Sequence, residues 1–297
     1  MRRSNCIYRT PEGREVWQSL YRRCLEAIPV TTESVEVDTR LGHTHVLSCG
    51  PTDAPPLVML HGISAFAPDV LIAHHDLADC FRIHAVDVVG QPGRSAEACP
   101  KKTDSSYADW LVDVLDGLGI ERAAFLGNSY GAFICMRMMA YAPERIERAV
   151  LTVPVCIARF HYRRMLRRLI LPSFAYRGHQ SSRLLDRASR ALFAPGESPD
   201  PRVREMIGAI FVHLHQDPIP PPLIRRSDLA RYHAPTLILG AEHDLYCSPS
   251  ELVSRSCQVF PNLSAVTVVA GSGHTYLNGA SGEVFRRRTR EFLAEGS

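Results

Sequence analysis

The run Gly127-Asn128-Ser129-Tyr130-Gly131 limits the folds open to this chain more than any other segment. It has the pattern G-x-S-x-G, and its flanks give the pattern meaning. Residues 122–126, Arg-Ala-Ala-Phe-Leu, are a short apolar run that reads as a buried strand, and residues 132–141 read as a helix. A serine on a sharp strand-to-helix turn is held in a strained backbone conformation. The flanking glycines are needed because a Cβ at either place would strike the neighbouring strand or helix. The hydroxyl is lifted into the open beside a helix N-terminus, which favours negative charge. In that context Ser129 reads as a nucleophile, against the plainer alternative of a structural turn serine.

The rest of the chain supplies a sheet for such a turn to stand on. Apolar runs at 57–60, 83–88, 123–126, 149–153, 236–239 and 265–269 are separated by helical or loop-like stretches. Strands this apolar, alternating with helices, indicate an α/β fold with a mostly parallel sheet covered on both faces. Upstream, residues 12–28 place Val16, Leu20, Cys24, Leu25 and Ile28 at helical spacing. Residues 34–40 and 43–48 alternate with period two around Leu41-Gly42, which predicts a β-hairpin. Residues 107–118 form a helix with Tyr107, Leu111, Val114, Leu115 and Leu118 on one side, capped by Asp104 or Ser105.

The rhythm breaks between Val155 and His233, where the chain is rich in arginine and proline and shows no clear strand. The expected organisation is a core of residues 1–154 and 233–297, with residues 155–232 inserted as a helical lid over the strand ends. Residues 214–222 read as a proline-rich turn within it.

A length of 297 residues suits one α/β domain of this size, and 45% hydrophobic content is ample for its core. The net charge of +3 carries no nucleic-acid signature. Nine cysteines include no C-x-x-C pair and no zinc-like spacing with histidine, so no metal is expected. Their odd number argues against a disulfide framework, and Cys135 and Cys156 read as buried thiols. Residues 1–8 are basic without a following apolar stretch, unlike a secretory signal. No window approaches about 18 uninterrupted apolar residues, so no membrane span is expected, and the cytoplasm is the expected compartment.

Ligands of open α/β sheets bind outside the carboxyl ends of the strands, so partners for Ser129 belong in the loops after strands. His274 follows the last strand in Ala270-Gly-Ser-Gly-His274, a flexible glycine turn that can bring an imidazole to the serine. A side chain with pKa near 6.5 can take the serine proton and return it. Its alternative is a solvated loop histidine. Asp244, after the preceding strand, can orient that base; Glu242 in the same loop is its rival. Residues 151–160 contain no acid, which removes the other common place for this carboxylate. Backbone N–H groups of Tyr130 and Ile63 are the expected oxyanion donors, with Gly62 letting the chain approach. His61 more plausibly braces that loop than takes part in chemistry.

Together these residues resemble the α/β-hydrolase superfamily. The resemblance runs through His61-Gly62, Asp87-Val-Val-Gly90-Gln-Pro-Gly93-Arg-Ser95, the serine turn, Asp244 and His274, in that order. Residues 107–119 and the N-terminal helix and hairpin look like a bacterial carboxylesterase branch. The Asp87–Ser95 stretch is one residue longer than the common D-x-x-G-x-G-x-S form and is expected to be structural. Haloalkane dehalogenases and epoxide hydrolases of this fold have Asp where Ser129 stands, so the resemblance implies acyl transfer. The implied activity is a serine hydrolase acting on an ester or thioester through an acyl-enzyme, with no cofactor. A cyclase or acyltransferase, or a ligand-binding protein with low turnover, are the alternatives.

The insert sets itself apart by charge. Residues 155–232 contain fourteen arginines, no lysine and six acids. Three readings compete: a solvated arginine face, recognition of an anionic acyl-carrier protein or CoA, and contact with a membrane surface. Phe160, Tyr162, Phe174, Leu184, Phe193, Ile210 and Phe211 are candidates for an apolar acyl-binding wall. His61, Gly62, Ser64, Phe160 and Phe211 are expected to border the substrate.

Overall fold

The computed structural model describes residues 7–215, 219–276 and 279–295. In chain order, α1 (Pro11–Glu26) leads into β1 (Glu33–Thr39), β2 (Gly42–Cys49), β3 (Pro56–Leu60), α2 (Ala67–His74) and β4 (Arg82–Val86). Then come α3 (Ser106–Gly117), β5 (Ala123–Asn128), α4 (Tyr130–Tyr141) and β6 (Ile146–Thr152). Between β6 and the next strand lie α5 (Tyr162–Met165), α6 (Leu171–Gly178), α7 (Ser182–Ser189) and α8 (Pro201–His213). The chain finishes with β7 (Thr236–Ala241), α9 (Pro249–Val259), β8 (Leu263–Val269) and α10 (Gly279–Ala294).

The strands form one sheet in the order β1-β2-β4-β3-β5-β6-β7-β8. The hairpin β1–β2 is antiparallel and β2 joins β4 antiparallel; every later pairing is parallel. All six apolar runs become strands, because a run apolar at successive positions suits burial on both faces. Alternate residues divide between the faces. Leu57, Met59, Leu126, Val150 and Leu237 pack with α2 and α10 on one side. Val58, Leu60, Phe125, Leu151 and Ile238 pack with α3, α4 and α9 on the other. Each such side chain contributes about 1.5–3 kcal/mol when fully buried. Helix α4 is buried from Tyr130 to Met139, as its apolar sequence requires. Cap chemistry for α3 falls to Asp104, whose carboxylate accepts from the Ser106 N–H at 3.0 Å.

Helix α1 forms where expected and buries Leu20 and Cys24 of the expected stripe, with the inward face rotated from Val16 toward Trp17 and Tyr21. Trp17, Leu20, Tyr21 and Cys24 are buried, and Val16 is exposed. The buried set has i, i+3, i+4, i+7 spacing and includes the two largest apolar rings, so it removes more area from water than the stripe through Val16. It packs on Phe66 and on Met206, Ala209 and Leu214 at the end of the insert. The insert is helical as expected, with a π-helical turn at Leu166–Ile170 joining α5 to α6. Its own small core holds Leu185, Phe193 and Ile207. Part of the expected proline-rich turn, residues 216–218, lies outside the described residues, as do residues 1–6. Cys135 and Cys156 are buried free thiols. Among the described residues no helix is long and apolar enough to cross a membrane.

Candidate active site

Ser129 sits between β5 and α4 with φ 51° and ψ −103°, a left-handed conformation strained for a residue with a Cβ. Sterics fix both neighbouring glycines. A Cβ on Gly131 would lie 2.1 Å from the Leu60 carbonyl oxygen, and one on Gly127 would lie 2.7 Å from the Ala132 backbone. The Ser129 N–H donates to the Thr152 carbonyl at 2.9 Å, tying the turn to the end of β6.

His274 and Asp244 arrive from the loops after β8 and β7. Ser129 Oγ lies 2.9 Å from His274 Nε2, and His274 Nδ1 lies 2.9 Å from Asp244 Oδ2. An ionised carboxylate only accepts, so Nδ1 carries the proton and Nε2 accepts the serine O–H. Asp244 is held in turn by the Tyr246 N–H, 2.7 Å from Oδ1. The rival carboxylate is occupied elsewhere: Glu242 Oε2 accepts from the Gly271 N–H at 2.8 Å. The histidine loop differs from the expected flexible glycine turn. A Cβ on Gly273 would come within 2.5 Å of the Phe193 backbone, and Thr275 N–H donates to the Leu192 carbonyl at 2.8 Å. Glycine here serves close packing against the insert, which holds the imidazole in place. The Tyr246 ring meets the His274 ring edge-on at 4.4 Å between centroids.

The loop after β3 passes beside the serine: a Cβ on Gly62 would lie 3.6 Å from the Ser129 Cβ. His61 braces this loop. Its Nδ1–H donates to the Gly62 carbonyl at 2.8 Å, and its Nε2 accepts from the Val88 N–H at 3.0 Å. Burial lowers its pKa, so the ring is neutral with both nitrogens engaged. Ser64, at φ 56°, donates its N–H to the Gln91 side-chain oxygen at 2.8 Å. The 87–95 stretch is therefore structural, as expected. Among the described residues no acceptor takes the Ile63 N–H. Tyr130 is the first residue of α4, directly after Ser129.

These groups open on a cavity of about 210 Å³. Its polar end holds Ser129, His274, His61, Gly62, Ile63 and Ser64, and its apolar wall includes Leu169, Val203, Met206, Ile207, Ile210 and Phe211. Of the wall residues expected from sequence, Ile210 and Phe211 line the cavity. Phe160 does not line the cavity. It packs on Tyr162, on Tyr246 and against the main core instead. Tyr162 and Phe174 are exposed, and Phe193 is buried within the insert. Sequence reasoning missed Asp69, Asn128, Tyr246 and Tyr276, all of which border the cavity. Asn128 Nδ2 donates to Tyr276 Oη at 3.1 Å, and Tyr276 O–H donates to Thr152 Oγ1 at 2.7 Å. Asn128 adjoins Ser129, and Tyr246 and Tyr276 lie two residues after Asp244 and His274; that proximity was the one available signal. Among the described residues no group of three or more His, Cys, Asp or Glu could hold a metal ion.

A second Ser–His–Asp line lies away from this cavity. Ser34 Oγ on β1 is 2.5 Å from His45 Nε2 on β2, and His45 Nδ1 is 2.9 Å from Asp87 Oδ2 after β4. Asp87 also accepts from Tyr21 O–H at 2.8 Å and the Ala67 N–H at 2.7 Å. It knits α1, the hairpin and α2 together.

Comparison with known proteins places the fold. The profile of the Alpha/beta hydrolase family matches residues 57–287. The uncharacterized carboxylesterase nap of Bacillus subtilis is 28% identical over 292 residues, covering 93% of this chain and 91% of its own. Carboxylesterase YbfK of the same organism is 27% identical over 290 residues, covering 93% of each chain. The crystal structure of carboxylesterase CesB (YbfK) from Bacillus subtilis superposes with a TM-score of 0.82 at 25% identity, over 96% of this chain and 100% of that one. The chain belongs to the α/β-hydrolase family and is carboxylesterase-like.

Proposed function

We propose that this protein is a serine carboxylesterase working through Ser129, His274 and Asp244. The observation that carries the reading is the unbroken hydrogen-bonded line from Asp244 through His274 to Ser129, ending at an apolar cavity. Ser129 Oγ bonds to the ester carbonyl carbon while its proton passes to His274 Nε2. The carbonyl oxygen takes up the negative charge between the Ile63 and Tyr130 N–H groups. The carbon–oxygen bond to the alcohol then breaks, and the alcohol leaves with the proton from His274. Water gives a proton to His274, attacks the acyl-enzyme and releases the acid, and the proton returns to Ser129. Asp244 holds the imidazole in the required tautomer and stabilises its protonated form.

Residues 155–232 act as a lid in this reading, since Leu169, Leu192 and the inner face of α8 supply the apolar wall. A cavity of about 210 Å³ is smaller than the roughly 300–1,000 Å³ of usual ligand sites, which favours short to medium acyl groups. Ser129 should be labelled by a fluorophosphonate, and Ser129→Ala should abolish both labelling and ester turnover. An unlabelled wild type that hydrolyses no member of an ester panel would overturn the proposal.

A thioester carried by an acyl-carrier protein or CoA is a second reading. It rests on Arg163, Arg164, Arg167 and Arg168, which make no ion pair among the described residues. If changing all four to Gln alters turnover of the carrier-bound thioester no more than turnover of a free ester, this reading is lost.

A further inference from the structure

The cavity wall opposite expectation is Asp69. It is the one acidic side chain among the described residues lining the cavity, and no Lys or Arg lines it. Asp69 stands at the start of α2, where Oδ2 accepts from the Phe66 N–H at 3.3 Å and completes a capping interaction. No other hydrogen bond or ion pair engages its carboxyl among the described residues. One oxygen thus serves the helix, and the half-buried side chain shares the cavity lining with Val70, Val203, Met206 and Ile210. A carboxyl in such surroundings is unfavourable until a donor reaches it.

We propose that Asp69 is a specificity-determining residue whose second carboxyl oxygen receives a hydroxyl or ammonium group carried by the ester at a distance from its scissile carbonyl. The proposal rests on the serine-esterase reading of the same cavity. It assigns the preferred substrate a chemistry that the apolar wall alone does not suggest: an ester with an apolar middle and a hydrogen-bond donor beyond it. An acceptor in the cavity wall that a substrate donor matches discriminates against analogues that lack the donor.

Asp69 also has a protonation state to set. Burial is the main influence and pushes its pKa up to about 7; the Phe66 N–H and Arg202 on α8 oppose this, and Asp87 adds to it. Tyr21 and Cys24 on α1 are the other ionisable groups that feel its charge, and His61 and His274 share its cavity. Below about pH 7 the neutral acid tolerates alkyl esters. Above it the carboxylate favours an ammonium.

The test uses activated aryl esters of ω-hydroxy and ω-ammonio alkanoic acids beside their unsubstituted counterparts, with the donor placed on the alcohol side in a second set. The kcat/KM ratio of each pair is read from about pH 6 to about pH 8.5 in wild type, Asp69→Asn and Asp69→Leu. His274 serves both members of a pair, so its own titration cancels in the ratio. Wild type should prefer the ammonio ester increasingly as pH rises through about 7. Asp69→Asn keeps an acceptor for Phe66; it should lower that ratio about tenfold, the size of one charge-assisted hydrogen bond, and flatten its pH dependence. Asp69→Leu should turn the preference toward the alkyl ester. Equal ratios in wild type and Asp69→Asn at every pH, with matching unfolding transitions, would make Asp69 a helix cap only. Should both variants fail to fold, a pH-independent ratio in wild type overturns the proposal alone. A wild type that cleaves no ester and leaves Ser129 unlabelled removes the esterase reading and the subsite with it.

Discussion

Asp244→Asn isolates one electrostatic contact and changes little else. The amide is nearly isosteric, and its oxygen can keep the bond from the Tyr246 N–H. It cannot keep the charge. In the acylation step the imidazole becomes a cation 2.9 Å from a carboxylate that is only 6% exposed. With an effective dielectric of about 20, unit charges at 2.9 Å attract by about 6 kcal/mol. At about 1.36 kcal/mol per factor of ten, that sets an upper limit near 10⁴ on the loss of rate. Tautomer acts in the same direction. If the amide NH₂ faces Nδ1, the ring moves its proton to Nε2 and can no longer accept from Ser129. The expected loss in kcat/KM is therefore about 10³–10⁴ on a neutral aryl ester, with an unchanged thermal unfolding transition. Glu242→Gln is the matched control and should stay within about threefold, because its partner is the Gly271 N–H. The reasoning is refuted if Asp244→Asn retains more than about a tenth of the activity, or if Glu242→Gln falls as far.

Gly131→Ala should cost about 1–3 kcal/mol in urea unfolding through overpacking against Leu60, and about 10²–10³ in rate as the Ile63 loop is displaced. A variant as stable and as active as wild type would contradict the steric account of the turn. His74 is buried with neither ring nitrogen bonded, and burial, then Arg286 and His75, lower its pKa to about 3. The unfolded chain takes up that proton near pH 6.5 and the native state only near 3. Its stabilising share is thus complete above about pH 6.5 and shrinks by about 1.36 kcal/mol per unit as pH falls toward 3. His74→Leu should flatten the acid limb of stability between about pH 6 and pH 4, and equal slopes from denaturant midpoints would exclude this. Mass spectrometry after fluorophosphonate treatment should find the adduct on Ser129 and none on Ser34; modification of Ser34 in Ser129→Ala would show that the turn is dispensable.

Ser129, Asp244 and His274 were legible because each lies in a loop next to an apolar strand, and the order of strands fixes which loops meet. The hairpin and the six apolar runs were legible for a related reason: period-two and all-apolar patterns are local. What escaped depends on contacts across the chain. Asp69 looks like an ordinary first-turn acid, and only the path of α8 puts a cavity beside it. Phe160 and Phe211 look alike in sequence, yet one packs against the main core beside Tyr246 and the other lines the cavity. Trp17 and Tyr21 were passed over because the stripe they belong to is settled by Phe66 and by the far end of the insert.

That last contact has a mechanical consequence. The N-terminal helix is stapled to α8 by the cluster around Trp17, by the Arg23–Glu205 ion pair at 2.7 Å, and by the bridge between Tyr8 and Leu214. The π-helical and α6 stretch packs on α7 and α8 and leaves Leu166, Leu171 and Phe174 in water. The insert is thus tied to the N-terminal helix along α8, while its π-helical and α6 stretch rests on its own helices.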